Sequence, residues 1–245
     1  IPPHPPTPPL AKRECPSYAS QLMADEGRSR HDIWASEASL SLLGPVRLTG
    51  RNGEELTPKP RKTRALLAIV ALARSSVTRS RLTDLLWGDR GEEQAKASLR
   101  QALYELRDLT NAGLITATRE AVAIGPKRLW TDVGQFDGAP GEPAGLAEAL
   151  QTLEWPPLAD LDDVTPELDD WLRDERARIQ AILTQRSTEA AETALGKGDA
   201  ASARTIADAL QRIDPVDERA ARFGAGADLA FGDRPAAHRP IARLE

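Results

Sequence analysis

The segment AKASLRQALYELRDL, residues 95–109, combines a helical apolar pattern with polar side chains that could contact a nucleic acid. At about 100° per residue, apolar residues such as Leu99, Leu103 and Leu106 fall on one arc of a helix. The remaining arc carries Lys96, Ser98, Arg100, Gln101, Tyr104 and Arg107. Arginine can pair bidentately with guanine, glutamine can pair with adenine, and lysine, serine or tyrosine can hold phosphate. These six residues are therefore predicted to bind double-stranded DNA.

Taken alone, the same pattern also suits an ordinary amphipathic helix whose polar side faces solvent. The surrounding charge favours the DNA-binding interpretation, because residues 58–108 contain eleven Lys/Arg against six Asp/Glu. Residues 140–245 contain twelve against twenty-one, so a net charge of −5 hides a basic segment joined to an acidic one. Further phosphate contacts are predicted from Lys59, Arg61, Lys62, Arg64 and Arg119.

Short apolar runs on both sides of these helical segments predict strands. Residues 39–50 indicate two strand pieces around a Gly-Pro break, and 54–58 a third piece after an Asn-Gly turn. Residues 114–125 alternate around a polar tip and predict a hairpin, and 129–133 predict one more strand.

Three helices are predicted between these strands. The first covers 59–76 and the second 79–87, with Thr78 as its N-cap. Asp89 and Glu92 have the spacing of a capping box that opens the third helix. The order of strands, three helices and hairpin predicts a winged helix-turn-helix, and an unrelated α+β domain with the same element order is the alternative.

The C-terminal part is predicted to be almost entirely helical. Leu195, Gly198 and Asp199 recur 34 residues later as Leu229, Gly232 and Asp233, which is the tetratricopeptide period. The predicted fold class is mostly α with a small β component. Four segments are expected: a disordered N-terminal arm over 1–38, a DNA-binding winged helix over 39–133, a linker over 134–145, and a truncated helical-repeat domain over 146–245.

Five stretches resemble bacterial activators of the antibiotic regulatory protein (SARP) type. They are SLLGPVRL, RKTRALLAIVAL, SRLTDLLWGDRGEEQAKASLRQALYELR, WPPLADLDD and WLRDERARI. The resemblance implies an OmpR-like winged helix joined to a bacterial transcriptional activation domain (BTAD) of tetratricopeptide-like repeats. It also implies binding to repeated promoter sites, often as two subunits, and recruitment of RNA polymerase. The loop that would contact the polymerase consists of Gly88, Asp89, Arg90 and Gly91.

Other chemistry finds little support in the sequence. His4, His31, His238 and the single Cys15 lack partners at catalytic or metal-binding spacing. The acids Asp160, Asp162 and Asp163 are expected to be solvated loop residues, since EF-hand spacing is missing. We therefore expect no catalysis, no metal and no cofactor. The alternative function is a protein-interaction adaptor that uses the winged helix and the repeats without DNA readout.

Three remaining expectations concern the whole chain. Its apolar runs stay well short of the ~20 residues of a membrane span. The single cysteine excludes an internal disulfide framework, so a reducing, cytoplasmic setting is expected. The missing initiator Met and an end within a helical pattern predict a piece of a longer protein. Gly224, Gly226 and Pro240 stand where a repeat helix should run, so the last repeat is expected to be distorted.

Overall fold

The computed structural model describes residues 38–110, 113–125, 129–136 and 141–232. Of the arm predicted over 1–38, only Ala38 falls within this range. His4, Cys15, His31, His238 and Pro240 lie outside it, so the predictions for these residues are not addressed by the described part of the chain.

The two N-terminal strands and the last strand of the described chain form a small mixed sheet that packs on the helices. Its strands are β1 (Ala38–Ser41), β2 (Arg47–Gly50) and β6 (Leu129–Thr131). Their order is β2-β1-β6, with β1 antiparallel to β2 and parallel to β6. Leu40 and Leu48 face each other across the first pair and are fully buried. The third strand piece expected over 54–58 is reduced to an isolated bridge between Glu55 and Thr49.

A buried carboxylate closes one end of this sheet. Asp132, directly after β6, accepts hydrogen bonds of 2.9 Å from the backbone N–H groups of Leu42 and Leu43 and from that of Val133. Burial disfavours the charged form and raises the pKa of Asp132 to about 6, although the backbone donors act in the opposite direction.

The three predicted helices are present as α1 (Arg61–Leu72), α2 (Arg79–Trp87) and α3 (Glu92–Leu109). Thr78 caps α2 as predicted, because its hydroxyl accepts from the backbone N–H of Arg81 at 3.2 Å. The predicted capping box is wrong: Gly91 is the N-cap of α3 and makes no side-chain hydrogen bond. Asp89 instead lies 3.8 Å from Lys62, since the chain turns through residues 88–91 before α3 begins.

A second small sheet forms the wing. It contains β3 (Val77–Thr78), β4 (Ile115–Ala117) and β5 (Ala121–Ile124), in the order β3-β5-β4. The β4–β5 hairpin confirms the prediction for residues 114–125, and its tip consists of residues 118–120. Because β3 pairs with β5, the start of α2 lies directly beside the wing. Helices, sheet and hairpin together form a winged helix-turn-helix.

The C-terminal half is helical, as predicted. After a 3-10 turn (Gly134–Phe136) come α4 (Pro143–Gln151), α5 (Pro166–Gly196), α6 (Ala200–Ile213) and α7 (Glu218–Ala230). The fold is thus mostly α with a small β component, as expected. No helix in the described ranges is long and apolar enough to span a membrane.

The two glycines of the 34-residue repeat occupy equivalent turns. Gly198 has φ +75° and Gly232 has φ +80°, a region in which residues with a Cβ are strained. Helix α7 continues through Gly224 and Gly226, so the expected distortion is not present in residues 218–232. A Cβ on Gly226 would lie 3.4 Å from Leu195, which indicates that glycine allows the close approach of these helices.

One hydrophobic core runs through both halves of the described chain. It contains Leu40 of the sheet, Leu66 of α1, Leu172 and Ile179 of α5, and Leu210 of α6. A small separate cluster of alanines joins α5, α6 and α7. The helical half is therefore packed on the winged helix, and the predicted domain boundaries at 133 and 146 stay a prediction.

Candidate nucleic-acid interface

Helix α3 has a buried face and a polar face, as its periodicity predicts. Its buried residues are Ala95, Leu99, Ala102, Leu103 and Leu106. On the opposite side Arg100 and Arg107 are exposed, and Tyr104 is 67% exposed. Neither arginine makes a side-chain hydrogen bond or ion pair with any described residue. We call Lys96, Arg100, Tyr104 and Arg107 the outward strip.

Lys96, at the start of the outward strip, already has partners within the first turn of α3. Its ammonium group lies 2.6 Å from the Glu92 carboxylate and 3.2 Å from that of Glu93. The hydrogen bond to Glu92 is the main reason why the pKa of Lys96 is raised, and it also lowers the pKa of Glu92. Lys96 would have to leave these carboxylates in order to contact a phosphate.

Ser98 and Gln101 lie on a different strip from the four residues above. The Ser98 hydroxyl donates to the Gln94 carbonyl at 2.8 Å and accepts from Arg90 at 2.9 Å. Both Ser98 and Gln101 line an open cleft of about 750 Å³ between α3, the start of α1 and Trp87. The structure thus divides the six predicted residues of α3 between the outward strip and the wall of this cleft.

The four cations predicted near the start of α1 differ in their surroundings. Lys59 is exposed, and Lys62 lies 3.8 Å from Asp89. Arg61 and Arg64 both contact the loop before α5. Both arginines therefore already have partners within the chain. The phosphate contacts of all four cations stay a prediction.

The wing tip brings together cations that the sequence analysis did not single out. Arg119 is exposed at the tip, as predicted. The guanidinium of Arg79 donates to the Thr118 carbonyl at 2.8 Å. The backbone N–H of Arg79 donates to the Glu120 carbonyl, also at 2.8 Å. Arg81 is exposed in the first turn of α2. The sequence signal that could have identified Arg79 and Arg81 is the Arg-Ser-Arg triplet directly after the N-cap of α2. The N-terminus of a helix also attracts anions.

The loop before α3 is exposed from Gly88 to Gly91. A Cβ on Gly88 would lie 2.7 Å from the Asp84 carbonyl oxygen, so the turn favours glycine at this position. Asp89 faces Lys62, and Arg90 donates to Ser98 on α3. The predicted contact of this loop with RNA polymerase stays a prediction.

Two of the acids expected to be solvated have structural partners instead. Asp160 accepts from the backbone N–H of Val46 at 2.8 Å, and Asp162 pairs with Arg176 at 2.7 Å. The sequence does not reveal these partners, because Val46 is 114 residues from Asp160 and Arg176 is 14 residues from Asp162. Asp163 is exposed, as expected. Among the described residues, no group of three or more His, Cys, Asp or Glu side chains could hold a metal ion.

Comparisons with known proteins support the fold and leave the function open. No family model matches the chain, and no curated protein matches it. Among solved structures, Mycobacterium tuberculosis EmbR, determined in complex with a low-affinity phosphopeptide, is similar at 19% sequence identity with a TM-score of 0.64. The match covers 85% of this chain and 59% of the EmbR chain, so the chain spans about three fifths of EmbR. This likeness supports a SARP-like fold.

Proposed function

We propose that the protein is a sequence-specific DNA-binding transcriptional regulator without catalytic chemistry. The observation that carries this proposal is the outward strip on the third helix of a winged helix-turn-helix. Because Arg100 and Arg107 have no partner among the described residues, they lose no internal hydrogen bond when they bind a base or a phosphate. Helices in this position of helix-turn-helix proteins enter the major groove. The SARP resemblance and the EmbR-like fold add support.

The finer part of the proposal is that the regulator activates transcription. In this proposal it binds repeated promoter sites with a second subunit and recruits RNA polymerase. The exposed loop from Gly88 to Gly91 is the proposed polymerase contact, and the hydrogen bond from Arg90 to Ser98 holds this loop against α3. These roles come from the SARP resemblance, and they depend on DNA binding being established first.

DNA binding is tested by measuring the affinity of the full chain for duplexes selected from a random pool. The affinity is measured at several salt concentrations, because each phosphate contact adds about 0.9 to the slope of log affinity against log salt. We expect a tight, salt-dependent complex that the double variant Arg100→Ala/Arg107→Ala loses. Arg173→Ala, which removes an exposed arginine on α5, is the matched control and should bind as the wild type does.

A protein-interaction adaptor is the second candidate, and the cleft beside α3 favours it. The cleft of about 750 Å³ has Trp87, Ala97 and Val164 among its lining residues and could accept a protein segment. The same salt series separates the two candidates. Selected duplexes that are not retained even at low salt would support the adaptor and overturn DNA binding.

A further inference from the structure

The loop between α4 and α5 belongs to the helical half and contacts the winged helix. We call residues 157–165 the junction loop. The backbone N–H of Leu158 donates to the Leu42 carbonyl at 2.9 Å, and that of Ala159 donates to the Gly44 carbonyl at 3.0 Å. The junction loop thus extends the backbone hydrogen bonding of the winged helix just after β1.

The side chain of Asp160 joins this loop to α1. Its Oδ2 atom lies 2.6 Å from Nε of Arg64, and its Oδ1 atom accepts from the backbone N–H of Val46. Arg64 also donates to the carbonyls of Pro58 and Lys59 at 3.1 and 2.8 Å, and only 17% of its side chain is exposed. To bind a phosphate, Arg64 would have to leave these acceptors and leave the half-buried Asp160 carboxylate without its cation.

Arg61 faces the same loop from the first turn of α1. It donates through Nε to the Asp160 carbonyl at 3.0 Å and through Nη2 to the Asp162 carbonyl. The Asp162 carboxylate accepts two hydrogen bonds from Arg176 of α5, at 2.7 and 3.0 Å, and this pairing lowers its pKa. Arg61 of α1 and Arg176 of α5 therefore both hold the junction loop.

The end of the junction loop contacts α2. The Thr165 hydroxyl donates to the Leu85 carbonyl at 2.5 Å and accepts from the backbone N–H of Leu168 at 3.1 Å. The residue that caps α5 is thus also bound to α2. The β1–β2 turn, α1 and α2 are all attached to one short loop.

We infer that Arg61 and Arg64 are coupling residues that hold the helical half at a fixed orientation on the winged helix, with Asp160 as the positioning residue, and that they do not bind DNA phosphates. The inference rests on the proposed function, because it assigns roles within the proposed DNA-binding domain. It leaves Lys59, Lys62, Arg119 and the six predicted residues of α3 as the predicted DNA contacts. Cations that stay bound to internal acceptors release no counterions from DNA and so add nothing to the salt slope.

The test compares Arg64→Ala and Asp160→Asn with Arg119→Ala in the full chain. Arg119 is the matched control, since it is an exposed arginine with no side-chain partner among the described residues. Asp160→Asn keeps an oxygen acceptor for Val46 and replaces the charged oxygen that faces Arg64 by an amide NH2 group, which cannot accept from the guanidinium. We expect Arg119→Ala to lower the salt slope by about one unit. The slopes of Arg64→Ala and Asp160→Asn should equal that of the wild type.

Thermal unfolding and hydrogen exchange provide a readout of coupling that does not depend on DNA. We expect Asp160→Asn to accelerate hydrogen exchange of the Val46 amide and to split the single unfolding transition of the wild type into two. Arg64→Ala should split the transition in the same way. Arg64→Lys keeps the charge, so its unfolding should stay closer to a single transition than that of Arg64→Ala. A slope that falls by about one in Arg64→Ala, or rises in Asp160→Asn, would overturn the inference, because Arg64 would then contact phosphate. One unchanged transition in all variants would also overturn it. If the wild type binds no DNA, the proposed function fails and the unfolding data still decide whether these residues couple the halves.

Discussion

The guanidinium of Arg90 lies 2.9 Å from the hydroxyl of Ser98, which joins the loop before α3 to the cleft side of that helix. The same hydroxyl donates to the Gln94 carbonyl at 2.8 Å, so both its donor and one acceptor position are in use. Base contacts by α3 are therefore proposed for Gln101 and for the side chains of the outward strip. This hydrogen bond links the loop proposed to contact polymerase to the helix proposed to contact DNA.

Arg100→Ala should weaken DNA binding without affecting folding. Arg100 is exposed in the middle of the outward strip and has no partner among the described residues, so its loss leaves no buried group unsatisfied. We expect a cost of roughly 1–3 kcal/mol at the cognate site and relaxed preference at one or two base pairs. Binding to a panel of base-substituted duplexes measures both effects. If Arg100→Ala binds its promoter as tightly as the wild type, α3 is not the helix that recognises the sequence.

Leu103→Ala should destabilise the fold without a direct effect on DNA binding. Leu103 is 3% exposed and belongs to the buried face of α3. Truncation of such a side chain leaves a cavity and costs about 2–5 kcal/mol of folding free energy. Circular dichroism melts should show this loss, and DNA binding should fall only at temperatures where the variant unfolds. A variant that melts as the wild type does would contradict the expected cost of the cavity.

Arg119→Ala should weaken binding to all DNA sequences alike. Arg119 lies at the wing tip beside Arg79, where helix-turn-helix proteins with wings contact the DNA backbone. The slope of log affinity against log salt should fall by about one unit. Arg119→Lys should keep most of the slope, because it keeps the charge. An effect confined to one base position would mean that Arg119 contacts a base edge instead.

Asp132→Asn should remove a pH dependence of folding stability. The pKa of Asp132 is raised from 3.8 to about 6 by burial, so the folded state binds this proton more tightly than the unfolded state. Its contribution is therefore greatest below pH 3.8 and is lost as the pH rises through about 6. We expect the unfolding free energy of the wild type, relative to Asp132→Asn, to fall by on the order of 2–3 kcal/mol between pH 4 and pH 7. Urea titrations across this range measure it, and a constant difference would contradict the prediction.

Gly198→Ala should destabilise the helical half through backbone strain alone. Gly198 has φ +75°, and a Cβ at this position would meet nothing within 4 Å. The expected cost is about 1–2 kcal/mol, the penalty for a residue with a Cβ in the left-handed region. Gly196→Ala is the matched control, because Gly196 lies in the last turn of α5 and also has open space at Cβ. Alanine there should be neutral or slightly stabilising. Equal effects of both substitutions on chemical denaturation would exclude a conformational cause.

The buried face of α3 could be predicted from sequence because it follows the helical period. The same is true of the wing hairpin and of the glycine turns at Gly198 and Gly232, whose requirements are local. The division of the polar face of α3 into the outward strip and the wall of the cleft could not be predicted from the helical period. It depends on Trp87 and on the start of α1, which form the far wall of the cleft beside Ser98 and Gln101.

Long-range pairing explains most of what the sequence analysis missed. The ion pair of Arg64 was not predicted, because its carboxylate partner Asp160 is almost a hundred residues away, and the phosphate contact of Arg64 stays a prediction. The capping-box pattern at Asp89 and Glu92 was a local signal that failed, since Asp89 faces Lys62 and the helix begins two residues later than the pattern requires. Charge patterns in sequence do not reveal which cations have internal partners.

Helix α5 sets the distance between α2 and the turn at Gly198. It contains 31 residues. At 1.5 Å per residue its axis is roughly 46 Å long, which exceeds one turn of B-form DNA at about 34–36 Å. One end is bound to Leu85 through Thr165, and the other ends beside the turn at Gly198. A molecule held at that far turn would be kept at a set distance from α2, and each residue inserted into or deleted from α5 would change that distance by about 1.5 Å and turn the attached element by about 100°.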